Sequence, residues 1–208
     1  MRRLLALAVL VLAASIGNAQ AAVITFEDLP PDPSGTPGGD RSSGGFLFDT
    51  LVDHSHLDDG TFWGTSNGTN ILVIDAFGTA NNVTFSPIGG GPFAFKGIDL
   101  SKANTFSTTS AERVEVTGNL LGGGTVSTTL ALSGFNFTTF VFDSSWSNLS
   151  SVVLNGIDAS CCGTPPGNYY ALDNVVVEVA AVPEPGTLSL LGLGCAYAVS
   201  RRRRRGGD

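Results

Sequence analysis

The chain has 208 residues, of which only 14% are charged, and it contains 27 glycines and 10 prolines. That length suits one domain plus processing segments, and a composition rich in turn formers, without long Ala-, Leu-, Glu- and Lys-rich stretches, excludes a helical bundle and points to an all-β domain. Between Ala22 and Val182 four bases (Arg41, Lys96, Lys102 and Arg113) stand against 16 acids, a net charge of −12, which excludes nucleic acid as a partner and suits divalent cations or neutral polysaccharide.

In chain order, the first segment reads as a secretory signal over residues 1–21. Arg2 and Arg3 form its positive end, Leu4 to Ala14 its apolar core, and Ala19-Gln20-Ala21 a small-x-small cleavage site with the cut after Ala21. The apolar run is shorter than the roughly 20 residues a spanning helix needs.

Residues 22–181 read as the ectodomain. Short runs with β-branched and aromatic residues recur at Val23–Phe26, Phe46–Phe48, Thr61–Trp63, Ile71–Ile74, Val83–Phe85 and Phe93–Leu100. They continue at Arg113–Val116, Thr125–Leu132, Phe135–Phe142, Leu149–Leu154 and Tyr169–Val179. Glycine-rich turns such as Gly89-Gly90-Gly91 and Gly122-Gly123-Gly124 separate them. Alternation in Val114-Glu115-Val116 and in Phe135-Asn136-Phe137-Thr138 buries one face of each strand. About ten short strands predict a two-sheet antiparallel sandwich of the jelly-roll type.

Several residue groups have chemistry of their own. Asp53-His54-Ser55-His56-Leu57-Asp58-Asp59 is the densest set of potential metal ligands, yet the chain has no third histidine, and an exposed loop is the expected setting. Cys161 and Cys162 are adjacent, and in an oxidising compartment they are candidates for a vicinal disulfide stiffening the Ser160–Asn168 loop. Trp63, Trp146, Tyr169 and Tyr170 are either core residues or stacking surfaces for sugar rings. Asn67, Asn82, Asn136 and Asn148 begin Asn-x-Ser/Thr sequons. No glycine-rich phosphate loop and no helical His-Glu-x-x-His occurs; no catalytic residue is assigned, and the expectation is a protein that is not an enzyme.

The last segment, 182–208, opens with Val182-Pro183-Glu184-Pro185, whose prolines stop any helix entering from the domain. Leu188 to Val199 then gives 12 mostly apolar or small residues, about 18 Å of helix at roughly 1.5 Å per residue, short of the roughly 30 Å hydrocarbon core. Arg201, Arg202, Arg203, Arg204 and Arg205 follow, a cluster that stays cytoplasmic and leaves the domain facing out.

A Pro-Glu-Pro element, a short apolar helix and a basic cluster in this order resemble the PEP-CTERM sorting signal of exported bacterial proteins. The resemblance implies an exosortase as processing enzyme, transient residence in the inner membrane, and a final place at the cell surface or in an extracellular matrix. It also implies an exopolysaccharide-producing Gram-negative source. Ile24-Thr25-Phe26-Glu27-Asp28-Leu29-Pro30 and Leu172-Asp173-Asn174-Val175-Val176-Val177 are in turn similar to the first and last strands of jelly-roll carbohydrate-binding modules. In those modules these strands lie together and often hold a structural calcium, which makes Glu27, Asp28 and Asp173 the calcium candidates here. The functional expectation is a noncatalytic surface or matrix protein. A calcium-stabilised lectin-like module that binds polysaccharide and a secreted hydrolase are the alternatives.

Overall fold

The computed structural model describes residues 20–32, 39–50, 55–74, 82–103, 110–157, 169–179 and 194. Cys161, Cys162, the first 19 residues and the apolar and basic parts of the tail lie outside these, so the disulfide, the signal segment and the C-terminal helix are not described. Among the described residues no helix is long and apolar enough to cross a membrane.

Ala21–Val179 is a compact unit, and its described residues form twelve antiparallel strands in one curled sheet. They are β1 (Gln20–Ile24), β2 (Arg41–Ser43), β3 (Phe46–Thr50), β4 (Ser55–Asp58), β5 (Ile71–Ile74), β6 (Asn82–Pro87), β7 (Phe93–Lys102), β8 (Arg113–Leu120), β9 (Thr125–Ala131), β10 (Thr138–Val141), β11 (Leu149–Ile157) and β12 (Tyr170–Val179). The ladders form two layers. One runs β2-β3-β6-β11-β8-β9; the other runs β4-β5-β12-β7-β10, with β1 also on β12. A single paired position, Leu149 with Phe93, joins them. Pairing of the first strand with the last agrees with the sequence-based expectation.

The layers meet through the inward residues of alternating strands, because period-two side chains give each strand one core face. Phe85 of β6 meets Phe95 of β7 edge-on at 5.3 Å, and Phe46 meets Phe93 at 5.1 Å. Such pairs add about 0.5–1.5 kcal/mol beyond their buried area. Tyr170 is fully buried and donates its hydroxyl to the Leu154 carbonyl at 3.2 Å, from one layer to the other. Burial raises its phenol well above the ordinary value, so it remains a donor.

A second, smaller cluster covers the outer face of the β4-β5-β12 edge. Ile71, Val73 and Ala171 alternate with core residues and pack instead against Trp63, Ala103 and Tyr169. All four residues of β4 and of β5 are therefore buried.

Three sequence-based expectations are corrected here. Thr61–Trp63 is not a strand. Gly60 adopts φ +72° and its carbonyl accepts from the Trp63 and Thr65 amides, so the chain turns back over the sheet. Phe135–Phe137 lies outside β10, which begins at Thr138. Ser55–Asp58 is not an exposed loop but buried strand β4, with His56 4% exposed. Asp58 spends both carboxylate oxygens locally: Oδ1 accepts from the Gly60 amide at 2.6 Å and Oδ2 from Trp63 Nε1 at 2.9 Å. Asp59 accepts from the Thr61 amide, which holds its carboxyl below the usual range.

Candidate functional site

The candidate site lies where the first and last strands come together. β12 is interrupted after Asp173, where its register with β7 shifts and Asn174 takes φ +48°. Asparagine tolerates this left-handed conformation because its short polar side chain bonds locally; here Nδ2 donates to Asp99 Oδ2 at 2.8 Å. Asp173 thereby stays on the outer face, directly opposite Asp99 of β7.

Asp173 is completely buried. Its Oδ2 accepts from Asn67 Nδ2 at 2.7 Å and from Thr69 Oγ1 at 3.0 Å. Oδ1 is buried without a well-formed hydrogen bond. Burial is the main cause that raises its carboxyl above the ordinary value. The Asn67, Asn174 and Thr69 hydrogen bonds pull it down, and the Asp99 charge pushes it up. An unpartnered oxygen on a buried carboxylate is costly, and it marks a place where a positive group would be welcome.

Glu27 reaches the same segment from the other end of the chain. Phe26 sits at φ +60°, an outlier for a bulky residue, and is fully buried edge-on to Phe48 at 5.0 Å. The turn it makes presents Glu27, whose Oε1 accepts from the Asn70 amide at 2.6 Å, while Asn70 Nδ2 donates to the Leu29 carbonyl. Glu27 and Asp173 are thus both tied to the Asn67–Asn70 loop.

Asp28 is not part of this convergence. Its Oδ1 accepts from Ser43 Oγ at 2.5 Å and its Oδ2 from the Gly44 amide at 3.3 Å, which fixes the β2–β3 turn. Among the described residues no three of histidine, cysteine, aspartate and glutamate stand together as a metal cluster. A cation here would draw on Asp173 and Glu27 with neutral oxygens of the Asn67–Asn70 loop, the mixed donor set that hard cations accept, and would require Asn67 to turn, since its Nδ2 now faces Asp173 and its Oδ1 accepts from Thr69. Sequence reasoning missed Asn67, Thr69 and Asp99. An Asn-Gly-Thr-Asn loop between two strands was the available signal, since it offers oxygens without charge.

The large aromatics considered for sugar stacking are core residues. Trp63 is 8% exposed, Trp146 5%, Tyr169 2% and Tyr170 0%. Trp146 ends a 3₁₀ turn, Ser144–Trp146, and packs against Phe95 and Phe142. Phe62 is the most exposed aromatic among the described residues, 70% accessible, and stands edge-on to Trp63 at 5.1 Å.

The tail supplies the decisive comparison. Residues 181–205 match the PEP-CTERM protein-sorting motif. The motif covers Val182 to Pro185 and Arg201 to Arg205, and it implies an exported, exosortase-sorted protein that is membrane-anchored before processing. No curated protein matches the chain. Among solved structures, a DUF4465 family protein from Bacteroides ovatus ATCC 8483 is similar at 11% identity with TM-score 0.38, over 78% of this chain and 100% of that one. A carbohydrate-binding module specific for non-crystalline cellulose, CBM28, is similar at 14% identity with TM-score 0.33, over 71% of this chain and 91% of that one.

Proposed function

We propose that this protein is a noncatalytic component of the cell surface or extracellular matrix of an exopolysaccharide-producing bacterium. The β-sandwich is the delivered part and the tail is its address. The observation that carries this reading is the sorting motif at residues 181–205. An exosortase would act near Pro183-Glu184-Pro185, with loss or transfer of the apolar and basic segments. The protein is then the enzyme's substrate. The engagement of Asp58 and Asp59 in turn hydrogen bonds supports a noncatalytic role.

We assign the Asp173 site a structural role within that reading. Calcium held by Asp173 and Glu27, with help from Asn67 and Thr69, would compensate the buried carboxylate and lock the first strand, the last strand and the Asn67–Asn70 loop together. Carbohydrate binding is the second reading, and Phe62 is the observation that favours it. Its ring is exposed and braced by Trp63, so it can offer a face to a sugar.

Intact mass and C-terminal sequencing of the protein recovered from its host's surface and medium test the sorting claim. A chain beginning near Ala22 and ending near the Pro-Glu-Pro element is expected, and extra mass at the new end would identify what it joins. A chain still ending in Arg201–Asp208 refutes processing. A cut after Ala21 leaves Ala22–Ile24 of β1 in the exported chain.

A further inference from the structure

We propose that β9 is a self-association edge, through which two copies of this chain pair antiparallel and fuse their sheets. This inference is independent of the sorting and calcium readings.

Among the described residues, β9 is the outermost strand of its layer and pairs with β8 alone. Exposed edges normally carry protection: shortness, charge, proline, a bulge or a cover. The outer strands β2, β4 and β10 have it. β2 is three residues long and contains Arg41. β4 is four residues long and lies buried beside the Gly60–Thr65 turn. β10 is four residues long. By contrast, β9 has seven residues, Thr-Val-Ser-Thr-Thr-Leu-Ala, with no charge, no proline and an unbroken register against β8. None of its residues is buried.

Charge decides where two copies can meet. The segment from Ala22 to Val182 carries −12, so most surfaces of one copy repel those of another. The sequence from Val116 to Phe142 has no charged residue at all, and β9 lies within it. The margin is also apolar. Val126 and Leu130 of β9, with Leu120 of β8, are only partly buried against the core, and Leu121 is 52% exposed.

The strand is complementary to itself. Antiparallel pairing about Thr128 places Val126 opposite Leu130, Ser127 opposite Thr129 and Thr125 opposite Ala131 on both sides of a two-fold axis. Val126 then meets Leu130 on the core side, flanking a Thr128–Thr128 pair on the axis, and Ser127 meets Thr129 on the outer side, a self-complementary arrangement of the kind an isologous interface requires. Backbone groups left open along the β9 edge gain partners in the same step.

The test uses the full chain in detergent with reductant, by sedimentation velocity and by hydrogen exchange over a concentration series. A reversible dimer is expected, with the amides of residues 125–131 becoming protected as concentration rises. Ser127→Lys, a change at an exposed position, is expected to weaken dimerisation about tenfold or more through like-charge repulsion across the axis, and so is Ser127→Glu. An equal mixture of the two variants should restore association as a heterodimer, which a merely misfolded variant could not do. A wild-type chain that stays monomeric at about 100 μM, weaker than a usable homodimer, overturns the proposal. So does a dimer whose protected amides lie elsewhere, a dimer indifferent to both variants, or protection of β9 that needs a different protein.

Discussion

Asp173→Asn separates a structural cation site from a merely buried acid. The carboxylate is fully buried, holds two hydrogen bonds on Oδ2, leaves Oδ1 without one and faces Asp99. Without a cation its charge destabilises the fold; with one, the charge becomes the anchor. A ligand at a hundred times its dissociation constant stabilises by about 2.7 kcal/mol. For a domain of this size each kcal/mol moves Tm by about 2–4 °C, so saturating calcium should raise the wild-type Tm by about 5–10 °C over the value in chelator. The asparagine variant keeps the shape and an oxygen that can accept from Thr69, but loses the charge. Its calcium increment should fall below about 2 °C, and in chelator it should melt at or above the wild type. Differential scanning calorimetry of both proteins, each with calcium and with chelator, gives the four values. A wild type indifferent to calcium, or a variant that keeps the increment, refutes the calcium assignment. A variant that melts far below the wild type in chelator refutes the idea that the buried charge is uncompensated.

The raised carboxyl of Asp173 gives a pH signature in chelator. Between the unfolded value of 3.8 and its raised folded value the native state binds more protons, so stability should fall as pH rises through that window; the slope should be missing in Asp173→Asn, and equal slopes by urea titration would count against it. Gly60→Ala should cost more than about 3 kcal/mol, because an added Cβ meets the Thr65 carbonyl oxygen at 1.8 Å and the residue sits at φ +72°; urea denaturation measures the loss. Asp58→Ala leaves the Trp63 indole N–H buried without its partner, at a cost of about 1–3 kcal/mol, and should shift tryptophan emission toward the red; unchanged emission and stability would show that the bond carries nothing. Under the second functional reading, Phe62→Ala should abolish retention on polysaccharide affinity gels without lowering Tm, since Phe62 is 70% exposed.

The fold class was legible because most strands bury one face. β8 over Arg113–Gly118 and β11 from Val152 onward alternate between buried and accessible positions, and β12 was found almost to its ends. β4 was missed for the opposite reason. Its inner residue Leu57 joins the main core, while His56 and Asp58 face Trp63 and its turn. A strand buried on both faces has no alternation to read, and a Ser-His-Leu-Asp sequence gives no apolar run in its place. The same covering loop explains the error at Thr61–Trp63. Its aromatics suggested a strand, but Trp63 is buried as a lid over one while Phe62 stands exposed, and the decisive residue was Gly60, whose left-handed backbone lets the chain fold back.

At the candidate site, the sequence could show two acids near opposite ends of the domain and a fold in which those ends meet. It could not show which acid points where. Glu27 and Asp28 are neighbours on the chain, so the turn following Phe26 sends them to different partners, one to Asn70 and the other to Ser43 and Gly44. Asp99 was invisible as a participant because it comes from mid-chain and meets Asp173 only through the β7–β12 register. That register has a physical consequence for calcium. The Asn174 bulge turns a side-chain amide toward Asp99, so Asp99 Oδ2 is already engaged by Asn174 and Oδ1 by Thr139. Asp99 is thus satisfied by neutral donors on its own layer, and Asp173 is the carboxylate of the pair left with an open oxygen. The asymmetry makes Asp173, and not Asp99, the residue on which cation dependence should rest.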